Sequence, residues 1–205
     1  MAVEYYMNME RLTLDIANEH LKNMTNDNME DDIWLNKETL ENNIKNGFII
    51  VTQLITFIDS FLNTILSNCM QCNKLNILRK NIDEKINIIF SYYKKDFSPI
   101  KEQDCWQGFD KIRSIRNNLI HYKKTNIGMG TGIPDFSFSK IESSILFTFT
   151  YMEQFINHTV TLSELIANTL NLEIYKDASI FACDAKGDNV KYVYDKNSYE
   201  TCEYK

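Results

Sequence analysis

The sequence predicts an all-α protein: an up-and-down bundle of four to five long helices with a small C-terminal β-hairpin. Three observations predict it. Helix breakers are scarce, with 6 Gly and 2 Pro among 205 residues, which favours long helices over a many-turned β fold. Apolar residues recur at spacings of three and four along most of the chain. The character changes after residue 172, where short β-prone runs flank turn residues. The chain therefore divides into a helical bundle, 1–172, and a hairpin with a loose tail, 173–205. Its length suits one domain with a real core.

A first helix is expected over residues 5–24, with Leu12, Ile16 and Leu21 turned inward. Asn26 to Asp32 is polar and acidic and reads as a loop. The second helix is expected from Lys37 to Ser67, with Leu40, Ile44, Phe48, Val51, Ile55, Ile58, Leu62 and Ile65 on one face. Gly47 interrupts it at modest cost. This helix contains the most apolar stretch, Phe48 to Leu66. Asp59 within it would be costly at a bilayer centre, so the stretch reads as a buried core helix and no membrane partner is expected.

A third helix is expected over Leu75–Lys95, with Leu75, Leu78, Ile82, Ile86, Ile89 and Tyr93 as its stripe, stopped by Phe97-Ser98-Pro99. A fourth runs from Lys101 to His121 or Lys124, with Cys105, Phe109, Ile112, Ile115 and Leu119 inward. Thr125 to Ser139 is a loop holding Gly128, Gly130 and Gly132, half of all the glycines. It lacks a following Gly-Lys-Ser/Thr and a preceding strand, so it is no phosphate cradle of that kind, but its position would let it cover a substrate. The fifth helix is expected over Lys140–Asn171, with a stripe from Ile141 to Leu170. His158 lies beside that stripe and reads as a satisfied core or boundary histidine. Ser179–Cys183 and Val190–Tyr194, around the turn at Asp184–Asp188, predict the hairpin, which needs a docking surface to be stable.

Five cysteines, an odd number, and no signal-peptide pattern at the N-terminus point to reduced thiols and a cytoplasmic location. Cys69-Met70-Gln71-Cys72 has no second pair at zinc spacing, and neither a metal nor a cofactor is expected. Motifs of the metalloprotease, nucleophile-elbow, Walker and EF-hand types are absent.

The net charge of −6 exerts no global pull on nucleic acid. The distribution is more informative. From Lys111 to Pro134 there is no acidic residue, while Lys111, Arg113, Arg116, Lys123 and Lys124 are basic. On a helix, Arg113, Asn117 and His121 stack four residues apart, and Arg116 can reach toward the same edge. A guanidinium binds phosphate through two parallel hydrogen bonds and stabilises charge on a transferring phosphoryl group. Histidine moves a proton near neutral pH. RNA supplies its own nucleophile, the 2′-hydroxyl, so one Arg and one His could cleave it without a metal and leave a 2′,3′-cyclic phosphate.

The segment Arg116-Asn117-Asn118-Leu119-Ile120-His121 resembles the Arg-x4–6-His signature of the HEPN superfamily of helical bundles, and the residue after Arg is polar, as it often is there. The resemblance covers about residues 37–171. It implies a metal-independent endoribonuclease, of toxin or antiviral abortive-infection type, that forms a homodimer with one composite cleft. It implies Arg116 and His121 as the catalytic pair, with Asn117 orienting or polarising. Arg113, Lys123 and Lys124 are expected to hold flanking phosphates of the RNA. One subgroup carries His-x-Tyr, but here Tyr122 follows His121 directly and position 123 is Lys, which departs from the antitoxin pairing of that subgroup. An antitoxin or regulatory partner stays open. The competing expectation is a non-catalytic module of the same shape that dimerises, docks a partner or binds RNA.

Overall fold

The computed structural model describes residues 4–7, 9–24, 37–70, 75–121, 147–172 and 181–184. The described chain is mostly helical. Strand β1 (Glu4–Met7) leads into α1 (Met9–Lys22). Then come α2 (Lys37–Thr64), closed by a π-turn at Ile65–Cys69, the short α3 (Leu75–Leu78) and α4 (Ile82–Tyr92). After these come the short α5 (Ser98–Lys101), α6 (Asp104–His121), α7 (Phe149–Thr169) and strand β2 (Phe181–Asp184).

Helix α2 is the centre of the bundle and touches α1, α4, α6 and α7. That explains a departure from the expected stripe. A helix covered on several sides buries more than one face. Ile50, Leu54, Phe57, Phe61 and Leu66 join Val51, Ile58, Leu62 and Ile65 in the core, whereas Phe48 is exposed and Ile44 and Ile55 are only half-buried. Residues 41–67 are long and apolar enough to cross a bilayer by length and composition, and half of that stretch is buried inside the bundle.

Helix α1 lies antiparallel on α2. Glu10 receives a hydrogen bond from the Thr64 hydroxyl, while at the other end Asn42 donates to the Asn23 carbonyl at 3.0 Å. Between them His20 Nδ1 sits 2.8 Å from Asn46 Oδ1. The inner line of α1 is Glu10, Thr13, Ala17 and Leu21 rather than Leu12, Ile16 and Leu21. Thr13 is tolerated there because its hydroxyl donates back to the Met9 carbonyl at 2.8 Å.

The single helix expected over 75–95 is broken at 79–81. Asn81 takes extended backbone angles, accepts from Glu84 N at 2.9 Å, and its own N–H donates to Glu84 Oε2 at 3.2 Å. This reciprocal capping box starts a new helix at Ile82. The apolar period runs through the break unchanged, so periodicity alone hides it. Helix α4 is fixed to α2 by Lys85, which is 1% exposed and donates to Asp59 at 2.6 Å. Helix α6 begins at Asp104, after α5 and a turn, and buries Cys105, Trp106, Phe109, Ile112 and Ile115. Helix α7 buries Met152, Phe155, Thr159, Leu162 and Ile166, as its spacing predicts. Gly47 of α2 has a packing reason: a Cβ there would overlap the Phe147 ring.

Residues 5–7, expected to open the first helix, form a strand with Glu4 instead. β1 pairs antiparallel with β2, with Glu4 opposite Asp184 and Met7 opposite Phe181. Residues 181–183 of the first expected run thus lie in a strand that pairs with the N-terminal one, not with the expected second run. Its expected hairpin partner, Val190–Tyr194, lies outside the described residues, as do the loops at 26–32 and 125–139 and the stretch 140–146.

Candidate functional site

The basic segment is the C-terminal half of α6, which ends at His121. Three inward residues set its orientation. Phe109, Ile112 and Ile115 are buried, so Arg113, Arg116 and Asn117 are turned toward the surface. Arg116 is partly exposed and donates from Nη1 to Asn117 Oδ1 at 3.2 Å. That bond fixes the amide orientation and leaves its NH₂ available as a donor beside the guanidinium.

Arg113 has a different setting. Its two terminal nitrogens reach both oxygens of Asp83 on α4, at 3.0 and 2.6 Å, and Nη1 lies 3.6 Å from Asp110. This fork-on-carboxylate geometry is the one a phosphate would use. As folded, Arg113 joins α6 to α4, and phosphate would have to displace Asp83. The side chains of Asn118 and His121 lie outside the described ones, as do Lys123 and Lys124. The structure therefore brings Arg116 and Asn117 together, sets Arg113 on an acid, and carries the backbone to His121 in unbroken helix.

A second feature lies one to three turns earlier on the same helix. A cleft of about 420 Å³ opens between α6 and α7. Asp104, Gln107, Gly108 and Lys111 line it from α6, and Tyr151, Gln154, Phe155 and His158 from α7. The helices are antiparallel here: Gly108 meets His158, while Lys111 further along α6 meets Tyr151 earlier in α7. The Lys111 ammonium stands 5.8 Å from the Tyr151 ring centroid.

His158 corrects an expectation. Its Nδ1 is buried with no hydrogen-bond partner among the described residues, so it is not a satisfied histidine. The imidazole lies against the Gly108 backbone, where any Cβ would overlap it. Gly108 was the sequence signal for this cleft. A glycine inside a helix costs roughly 1 kcal/mol relative to alanine, and here the cost gives the ring its seat.

Of the CxxC pair, the Cys69 side chain and Cys72 lie outside the described residues. Cys105 is a buried free thiol, and burial pushes its pKa up, which keeps it protonated and unreactive. Comparison with protein-family models, with curated proteins and with solved structures finds no match.

Proposed function

We propose that the protein is a metal-independent endoribonuclease of HEPN type, with Arg116 and His121 as its catalytic pair. The observation that carries the reading is the Arg116–Asn117 pair, a partly exposed guanidinium held beside an oriented amide on the helix Asp104–His121. His121 takes the proton from the 2′-hydroxyl. The oxygen attacks phosphorus, the P–O5′ bond breaks, and the leaving 5′-oxygen takes a proton from water, to which the His121 imidazolium returns its own. The products are a 2′,3′-cyclic phosphate and a 5′-hydroxyl. Arg116 stabilises the charge that builds on the phosphoryl oxygens.

Helical geometry bears on the oligomer. Five residues turn the chain by about 140° and advance it about 7.5 Å. Arg116 and His121 therefore do not share one face, and a second copy of α6 laid across the first would enclose a phosphate between them. A homodimer with one composite cleft is part of the proposal, as is a toxin or antiviral role in the cytoplasm. The C-terminal hairpin belongs to it as an edge for a regulatory partner.

A specific observation favours a second reading. Arg113 is spent on Asp83 and Lys111 on Tyr151, so part of the basic island holds the chain together. On that reading the protein is a non-catalytic docking or RNA-binding module. Purified protein incubated with total cellular RNA in EDTA separates the two. Cleavage that vanishes in His121→Ala, with fold and oligomeric state unchanged, is expected. Intact RNA with the wild-type protein would favour the docking module.

A further inference from the structure

We propose that Lys111, at one end of the α6–α7 cleft, holds a backbone phosphate of single-stranded RNA away from the scissile bond, and that Asp104 at the other end stops the strand from running further. The proposal rests on RNA being the ligand, as above, but not on its being cut.

The register of the two helices gives the cleft unlike ends. Asp104 and Lys111 are seven residues apart on α6, about 10 Å along its axis. The helices are antiparallel, so Gln154 and Tyr151 of α7 stand at the Lys111 end, while His158, against Gly108, lies between the two ends. One end therefore carries a cation, an amide and an aromatic ring, and the other an acid.

The Lys111 ammonium is the part that fits an anion. It is exposed, and among the described residues no carboxylate pairs with it. Its neighbours are set differently: Arg113 is held by Asp83, and Lys85 and Lys80 on the α4 side are held by Asp59 and Glu84. The partner of Lys111 is the Tyr151 ring, 5.8 Å away at its centroid. A ring face attracts an ammonium without cancelling its charge. It steers a flexible side chain to one place and leaves N–H donors on the far side of the nitrogen. A phosphate oxygen can bind there without displacing the ring, whereas at Arg113 it must displace a carboxylate. The exposed Gln154 amide, three residues after Tyr151, adds a neutral donor at the same end.

Helical geometry connects this end to the motif. Lys111, Ser114 and Asn117 are exposed. They lie within about 120° around α6, and position 121 falls inside the same sector. Lys111 and position 121 are ten residues apart, about 15 Å along the axis. A strand with its scissile phosphate at the motif that follows this face brings another of its phosphates to Lys111. Beyond Lys111 the face carries Gln107 and then Asp104, whose carboxylate repels the next phosphate. The acid thereby sets where the strand leaves α6. Lys111 is remote from the reacting atoms, so it governs how tightly the strand is held and not the chemical step.

The test measures binding apart from cleavage. A fluorescein-labelled uridylate dodecamer is titrated in EDTA, at four salt concentrations, against full-length His121→Ala protein, so that no strand is cut. Adding Lys111→Ala should lower the slope of log K against log salt by about 0.7, one phosphate contact on a single strand, and weaken binding about five-fold near 0.1 M salt. Lys111→Arg should keep the slope, and Asp104→Lys should steepen it by about 0.7. Both positions are exposed, so neither substitution burdens the core. In the protein with His121 restored, Lys111→Ala should raise KM for the dodecamer about five-fold with kcat unchanged. A dinucleoside monophosphate has no second phosphate, and its kcat/KM should not move. A slope unchanged by Lys111→Ala would overturn the proposal, and one unmoved by Asp104→Lys would overturn the part given to the acid. An equal loss with the dinucleoside monophosphate would also overturn it, because Lys111 would then sit at the scissile phosphate. No binding of the dodecamer at any salt concentration would sink it together with the RNA reading. A slope lowered by Lys111→Ala, when the wild-type protein cuts nothing, would support the phosphate contact and sink the ribonuclease reading alone.

Discussion

A guanidinium can hold only one bidentate partner at a time, and Arg113 already has Asp83. Both groups are partly solvated, Arg113 at 23% and Asp83 at 51% exposure, so the pair contributes at most about 1 kcal/mol to stability. A phosphate offers the same geometry with more charge and can compete for it. Replacing Asp83 with alanine should therefore cost about 1 kcal/mol or less while tightening RNA binding. Because the freed guanidinium neutralises one more phosphate, the slope of log K against log salt should steepen by about 0.7 for a single strand. Titrations at four salt concentrations would read this directly, and an unchanged slope would mean that Arg113 serves only to hold α6 to α4. The contrast with Arg116 is the main thing the residue scale adds. Both arginines look alike in the basic run, and only the fold, by bringing Asp83 across 30 positions of sequence, separates them.

Among the elements, α6 and α7 followed their spacing most closely. Helix α7 buries Met152, Phe155, Thr159, Leu162 and Ile166 of its stripe and leaves Phe149 half-buried, and α6 buries Cys105, Phe109, Ile112 and Ile115 as expected. The centre of the bundle was less legible, because α2 is packed on several sides and a one-face stripe misplaces Phe48 and Ile55. The break at Asn81 left the apolar period intact, and its signal was the Asn-x-x-Glu capping box instead. The basic run on α6 was visible in the sequence, whereas the α6–α7 cleft was not, since Asp104, Lys111, Tyr151 and Gln154 come together only when the two helices pack. Helix α1 shows a further effect hidden from periodicity. Its inner line includes Glu10, 5% exposed, whose pKa is raised by burial despite the Thr64 hydrogen bond. The folded state thus prefers the protonated carboxyl. Its contribution is fully present below the unfolded value, near 4.5, and is lost as pH rises through the folded pKa. Glu10→Gln, which copies the neutral form, should raise the melting temperature at pH 7.5 and leave it unchanged near pH 4. Melting curves of the two proteins across that range check it, and a variant less stable at pH 7.5 would show that the carboxylate is needed charged.

For the whole molecule, the question is whether one chain holds a complete site. Arg116 and His121 sit about 140° apart around α6, so a site built from one helix must bend RNA around the helix end. A site built from two copies can take Arg116 from one chain and His121 from the other. The two arrangements differ in a way that mixing reveals. Arg116→Ala and His121→Ala should each be inactive alone, with losses of at least 100-fold, typical of removing a proton-transfer or charge-stabilising group. If the site is shared, unfolding and refolding the two variants together at equal concentration makes about half of the dimers mixed, by simple random pairing of a symmetric two-fold interface. Each mixed dimer keeps one arginine and one histidine on opposite chains, and RNA cleavage should return to a sizeable fraction of the wild-type rate. If the site lies within one chain, every protomer in the mixture still lacks one of the two groups, and cleavage should stay at the level of the separate variants. Return of activity would also require that β1, β2 and the rest of the bundle leave the two α6 helices free to meet, which makes the same experiment a test of the dimer geometry.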